Sequence, residues 1–214
     1  MTQSSTGKEA SADKILTGIE IDLNGKCRFN CSFCYLNSVK IHDNLNTNGL
    51  SLDEITGLIA QANELGAKRV ILFNDPSRQH PDTKAIIQYI IGKNMQVKSF
   101  SSDLCCNPSG NKDSGNGAFS VIKCLKHKYS CFVSLEGAVY PCVGMPLSIG
   151  NIRKTPLGKI LRDSEVIENL KNHESMIKGP CRKCEKFSNC YGCRARAFAL
   201  TGDYLASDPQ CPEN

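Results

Sequence analysis

Cys27, Cys31 and Cys34 stand in the run Lys-Cys-Arg-Phe-Asn-Cys-Ser-Phe-Cys. Three thiolates can hold an iron–sulfur cluster while leaving one iron open to a substrate or cofactor. Four-cysteine sites are closed and do structural or electron-transfer work, so a three-ligand site is the arrangement expected where the metal itself does chemistry. A zinc knuckle or buried thiols is the plainer alternative. A second constellation comprises Cys124, Cys131, Cys142, Cys181, Cys184, Cys190, Cys193 and Cys211, enough thiols to fill two closed four-thiolate sites with none spare. Only Cys105 and Cys106 then stay unassigned, as structural or incidental thiols. Because paired Cys-x2-Cys units also bind zinc, one zinc site on Cys181, Cys184, Cys190 and Cys193 is the alternative, and it strands Cys124, Cys131, Cys142 and Cys211.

Composition frames this chemistry. The 214 residues fit one large or two small domains. The N-terminus is polar with no apolar leader, and no apolar run approaches the ~20 residues that span a membrane. A cytoplasmic, reducing location follows, where clustered cysteines read as metal ligands rather than as a disulfide framework. The formal charge of +5 treats every cysteine as neutral. Oxidised clusters of about −1 on three thiolates and about −2 on each four-thiolate site would roughly cancel it. Lys26, Arg28, Arg182, Lys183, Lys186, Arg194 and Arg196 flank the cysteines and offset that charge locally or form a solvated basic face. No basic patch is interleaved with aromatics, so neither nucleic acid nor membrane is an expected partner.

The elements that must position these residues are legible by period. Residues 1–14 are polar and read as a disordered tail. Ile19, Ile21 and Leu23 alternate as a strand that runs into the cysteine loop. Ser51-Leu52-Asp53-Glu54 is a capping box, followed at helical spacing by Ile55, Leu58, Ile59, Ala62 and Leu65 until Gly66. Val70 to Phe73 is a short apolar run suited to a buried parallel strand. Asp82 begins a second helix closed by Gly92, and Met95 to Phe100 is a third strand. This β-α-β-α-β order forces a parallel sheet, whose C-terminal edge gathers the functional loops. Asn107 to Gly117 has no apolar residue and reads as a linker; beyond it come a hairpin turning at Glu136-Gly137 and short helices around Leu157 to Leu161 and Glu165 to Asn172. That half is poor in large apolar residues, and metal clusters can supply folding free energy there. The expected organisation is a β/α domain over 15–103, a linker over 104–123 and a cysteine-rich α+β domain over 124–214.

The x3-x2 spacing of the first triplet, with an aromatic before the last cysteine, resembles the signature of the radical S-adenosylmethionine enzymes. The resemblance implies a 4Fe-4S cluster on Cys27, Cys31 and Cys34 whose open iron chelates S-adenosylmethionine, with Phe33 packing near the adenine. The order Cys124-x12-Gly137-x4-Cys142, then Cys181-x2-Cys184-x5-Cys190-x2-Cys193 and Cys211, resembles the SPASM auxiliary-cluster domain of enzymes that modify peptides and proteins. Carried over, its interleaved ligation places one auxiliary 4Fe-4S cluster on Cys124, Cys142 and Cys193 with Cys131 as fourth ligand. The other falls on Cys181, Cys184, Cys190 and Cys211. The family has three residues where Cys190 and Cys193 enclose two.

The implied fold is a truncated partial β/α barrel followed by the cysteine-rich domain. Six β/α units would need about 200 residues when scaled from the roughly 250 of a full barrel, and only three strands are readable between Thr17 and Ser102. Where the family has a glycine-glycine-glutamate-proline turn holding the cofactor's amino group, this chain has Phe73-Asn74-Asp75-Pro76. Asn74 and Asp75 are the corresponding cofactor candidates, with a turn cap the alternative for Asp75. Ser101 lies where the family often has a threonine-asparagine-glycine turn. His42, His80, His127 and His173 show no paired spacing and read as surface or loop histidines. Glu20 and Asp22 on the first strand face a cavity or form a structural salt bridge. The resemblance implies a maturase-type oxidoreductase that abstracts hydrogen from a peptide or protein, supplied with electrons by a ferredoxin or flavodoxin. A shortened, non-catalytic iron–sulfur protein that passes electrons or binds a partner is the competing expectation, and a zinc module a third.

Overall fold

A computed structural model of the chain describes residues 15–23, 49–74, 80–100, 130–187, 190 and 192–211. Strand β1 (Gly18–Asp22), helix α1 (Leu52–Glu64), β2 (Arg69–Phe73), α2 (Thr83–Gly92) and β3 (Gln96–Phe100) follow the predicted alternation. Then come β4 (Ser130–Val133), β5 (Ala138–Tyr140), β6 (Gly150–Asn151), α3 (Leu157–Asp163), α4 (Glu165–Lys171), α5 (His173–Met176), a 3-10 turn over Pro180–Lys183, and α6 (Arg194–Thr201).

Among the described residues, the six strands belong to one sheet in the order β3-β2-β1-β4-β5-β6. The β3, β2, β1 and β4 strands are parallel, with Asp22 opposite Phe73, Phe73 opposite Phe100 and Ile21 opposite Val133; β5 and β6 add antiparallel at one edge. The α/β class, with its parallel β-α-β-α-β unit and a cysteine-rich α+β region after it, is the one expected. The separation of the two is not. The expected linker at 104–123 lies outside the described residues, yet on its far side the chain returns to the same sheet: β4 hydrogen-bonds to β1, and Cys131, Val133, Val139, Leu157 and Ile160 share a core with Ile19, Ile21, Ile55 and Ile59. The physical reason is that β1 is buried along its whole length, so both of its edges need a ladder partner. β2 satisfies one edge and β4 the other.

α1 begins at the predicted capping box. The Glu54 N–H donates to Ser51 Oγ at 3.2 Å, and the Ser51 N–H donates to Glu54 Oε2 at 2.8 Å. Ile55, Leu58, Ile59 and Ala62 form its buried face, and Gly66 at φ 98° ends it. α2 begins after its N-cap Asp82 and ends at Gly92, as the sequence reading expected. Asp82 makes no side-chain cap bond; the entry is instead organised by His80, whose Nδ1 accepts the Asp82 N–H and whose Nε2 meets the Leu50 carbonyl at 3.0 Å. Gly92 is the last residue of the helix, and the left-handed residue beyond it is Asn94 at φ 55°, a conformation asparagine tolerates.

Candidate functional site

Parallel pairing places the ends of three strands side by side. Asp22, Phe73 and Phe100 are in register, so β1, β2 and β3 end side by side at one edge of the sheet. β4 runs in the same direction, so its turn over Ser134 to Gly137 emerges there too, and a Cβ on Gly49, at the return of the cysteine loop, would lie 2.9 Å from Leu135. Of the site residues expected after these strands, Cys27, Cys31, Phe33, Cys34, Asp75 and Ser101 lie outside the described residues, as does Cys124.

Asn74 is described, and it is buried. Its Nδ2 donates to Thr83 Oγ1 at 3.2 Å, which ties the end of β2 to the start of α2, while its Oδ1 has no hydrogen-bond partner among the described residues. A buried acceptor left over at the C-terminal edge of a parallel sheet fits an ammonium group there. Glu20 and Asp22, 3% and 2% exposed, lie on the sheet face opposite Ile19 and Ile21. That face also carries Phe73 and Phe132 in a T-shaped contact at 5.8 Å and Tyr140 at 6.0 Å from Phe132.

The cysteines of the C-terminal half divide into two kinds. Cys131 sits on β4 opposite Ile19, inside the main core. Burial, reinforced by the Glu20 charge, pushes its thiol up to about 12. Cys142 packs into a different cluster, with Met145 and Leu170. The two thiols thus pack in different clusters of buried side chains.

Cys181, Cys184, Cys190, Cys193 and Cys211 belong to the other kind. They are free thiols, all but Cys181 partly exposed, on the turns that precede and follow α6. Among the described residues, no three or more His, Cys, Asp or Glu side chains converge as metal ligands. The surroundings nonetheless suit soft thiolate ligation: the Gly192 N–H points to Cys190 Sγ and the Asp208 N–H to Cys181 Sγ, each at 3.4 Å. Backbone N–H groups directed at cysteine sulfur stabilise thiolate and tune an iron–sulfur centre. The shortened Cys190–Cys193 interval is accommodated by Gly192 at φ 70°, where a Cβ would stand 2.7 Å from the Asp208 Cβ.

Two functional candidates were missed in the sequence. Asp208 carries no motif signal beyond its place three residues before Cys211, and Arg196 reads only as one of several flanking cations. Burial alone would raise the Asp208 pKa, but the Arg196 hydrogen bonds and the N–H groups of Cys193 and Gln210 outweigh it and hold the carboxyl below the usual range. Arg194, expected to offset cluster charge, is instead buried and donates to the Tyr204 and Ala206 carbonyls. His173 is also buried, against Phe187 at 5.5 Å, rather than on the surface.

A family model described as SPASM, an iron–sulfur cluster-binding domain, matches residues 124–185. The AdoMet-dependent heme synthase of Methanosarcina barkeri is 47% identical over 88 residues, 41% of this chain and 25% of that protein. The PqqA peptide cyclase of a Methylobacterium species is 34% identical over 84 residues, 37% of this chain and 22% of that protein. The alignments thus span about a quarter of the length of these relatives. The crystal structure of BtrN in complex with AdoMet and 2-DOIA overlays loosely, with a TM-score of 0.37 and 14% identity over 75% of this chain and 87% of that one. The iron–sulfur domain implied by the cysteine order is thus matched independently over residues 124–185, and part of the chain is similar to proteins named for AdoMet-dependent heme synthesis and peptide cyclisation.

Proposed function

We propose that the chain is a radical S-adenosylmethionine enzyme acting on a peptide or protein. The carrying observation is the common edge at which the three parallel strands β1, β2 and β3 end, each followed in sequence by a segment that carries candidate site residues. Cys27, Cys31 and Cys34 hold the reactive 4Fe-4S cluster. With electrons from a ferredoxin or flavodoxin, that cluster and S-adenosylmethionine supply a 5′-deoxyadenosyl radical for hydrogen abstraction. Phe33 packs against the adenine, and the buried Asn74 Oδ1 and the Asp75 carboxylate accept the cofactor's ammonium, with Ser101 as a further polar contact. Cys181, Cys184, Cys190 and Cys211 hold one auxiliary cluster and Cys124, Cys142 and Cys193 contribute to another. A cytoplasmic location suits an exposed iron; among the described residues no helix is long and apolar enough to cross a membrane.

The test is anaerobic reconstitution of the full chain, followed by reduction and S-adenosylmethionine. Formation of 5′-deoxyadenosine, abolished in Cys31→Ala, is the expected result, and its absence in cluster-loaded protein sinks the catalytic reading. The relatives' names divide between heme synthesis and peptide cyclisation, so the peptide class is checked by asking which candidate substrate accelerates cofactor cleavage. A non-catalytic iron–sulfur protein is the second reading, favoured by β4 standing beside β1 rather than beside β3, where the next strand of a β/α barrel would stand. It requires full cluster content without saturable S-adenosylmethionine binding.

A further inference from the structure

Asp208 is 1% exposed and makes contact with three of the cysteines assigned above. Its N–H donates to Cys181 Sγ at 3.4 Å, its Oδ2 accepts the Cys193 N–H at 2.8 Å, and its carbonyl accepts the Cys211 N–H at 3.2 Å. Arg196 grips the same carboxylate with both arms of its guanidinium, Nε reaching Oδ1 at 2.6 Å and Nη2 reaching Oδ2. The Gln210 N–H also donates to Oδ1 at 3.2 Å, closing a local turn. Beyond that turn, one buried residue reaches cysteines that the motif assigns to two different clusters: its carboxylate holds the Cys193 N–H, and its backbone meets the Cys181 sulfur and the Cys211 N–H. Gly192 makes the arrangement possible, because a side chain there would occupy the place of the Asp208 Cβ.

We propose that Asp208 and Arg196 are a positioning pair for the auxiliary iron–sulfur ligands: Asp208 holds the Cys181 sulfur and the Cys193 and Cys211 backbones, Arg196 holds Asp208, and their opposite charges set how readily the neighbouring cluster accepts an electron. The inference rests on the iron–sulfur reading of these cysteines. The sign follows from electrostatics. A reduced cluster carries one more negative charge, which the Arg196 cation favours and the Asp208 anion opposes. Asp208→Asn therefore raises the midpoint potential of at least one auxiliary cluster, and Arg196→Gln lowers it. Arg196→Lys keeps the charge without the fork and stays near the parent potential.

The experiment measures iron, sulfide and EPR-monitored midpoint potentials of the anaerobically reconstituted full chain and these three variants. Opposite shifts for Asp208→Asn and Arg196→Gln support the electrostatic role. Loss of auxiliary iron from Asp208→Asn, with the far-UV circular dichroism of the parent retained, supports the positioning role. Unchanged potentials with full iron, shifts in the same direction, or a shift in Arg196→Lys as large as in Arg196→Gln overturn the proposal. A parent chain that takes up no iron and sulfide removes the cluster reading itself, and this proposal with it, whereas a loaded parent with indifferent variants overturns this proposal alone.

Discussion

At the residue scale, equal thiols in the sequence become unequal in the fold. Cys131 and Cys181 are both buried, but one faces the aliphatic core and the other receives a backbone N–H on its sulfur. Cys131→Ala should leave iron and sulfide content unchanged while lowering stability by about 1 kcal/mol, the scale of deleting a small buried group. Cys181→Ala should lose one cluster's iron, and metal analysis beside a urea titration separates the two outcomes. Gly192 permits a sharper expectation. Its positive φ costs a side-chain residue about 1–2 kcal/mol, and the Cβ of Gly192→Ala would also collide with Asp208 at 2.7 Å. That variant should unfold at lower urea and bind less iron than the parent. The cysteine count and spacing announced a metal-binding half, but which thiols are ligands depends on burial and on donors from distant residues, which spacing does not encode.

At the scale of elements, local signals were most dependable where the physics is local. The capping box, the apolar stripe of α1 and the stop at Gly66 each need only a few consecutive residues, and all three are present. α2 starts at its N-cap Asp82 as read, but what holds its entry, His80 reaching back to Leu50, is a contact made across the sequence. Glu54 likewise has a second role: Arg153 donates to both of its oxygens and to the Gly49 carbonyl. These hydrogen bonds, led by the Arg153 side chain, hold the Glu54 carboxyl at about 2 against an ordinary 4.5. A depressed folded-state pKa contributes stability above the unfolded value and loses it as pH falls through the folded one. The advantage of the parent over Glu54→Gln, which keeps the cap, should be complete above pH 4.5 and vanish toward pH 2. Because both side chains are about a third exposed, its size should be no more than about 0.5–1 kcal/mol. Denaturant titrations across that pH range check both the size and the window.

At the scale of the whole molecule, the two halves are joined by β4 against β1 and by a common core. Phe132 is fully buried between Phe73 and Tyr140, on the face that also carries Glu20 and Asp22. Phe132→Ala should cost about 3–5 kcal/mol and weaken both halves together. Far-UV circular dichroism and cluster absorbance should then fall in one coincident transition for the parent and the variant alike; two separated transitions would show independent domains. By itself the sequence determined the cysteine inventory, the β-α-β-α-β order and the parallel direction of its strands, because thiol chemistry, helix period and crossover handedness are properties of short segments. Only the tertiary structure decided that β4 completes the sheet beside β1, that Cys131 is core, and that Asp208 joins Cys181, Cys193 and Cys211. Each of those depends on hydrogen-bonding groups far apart in the chain finding one another under burial, and no local pattern records such a meeting.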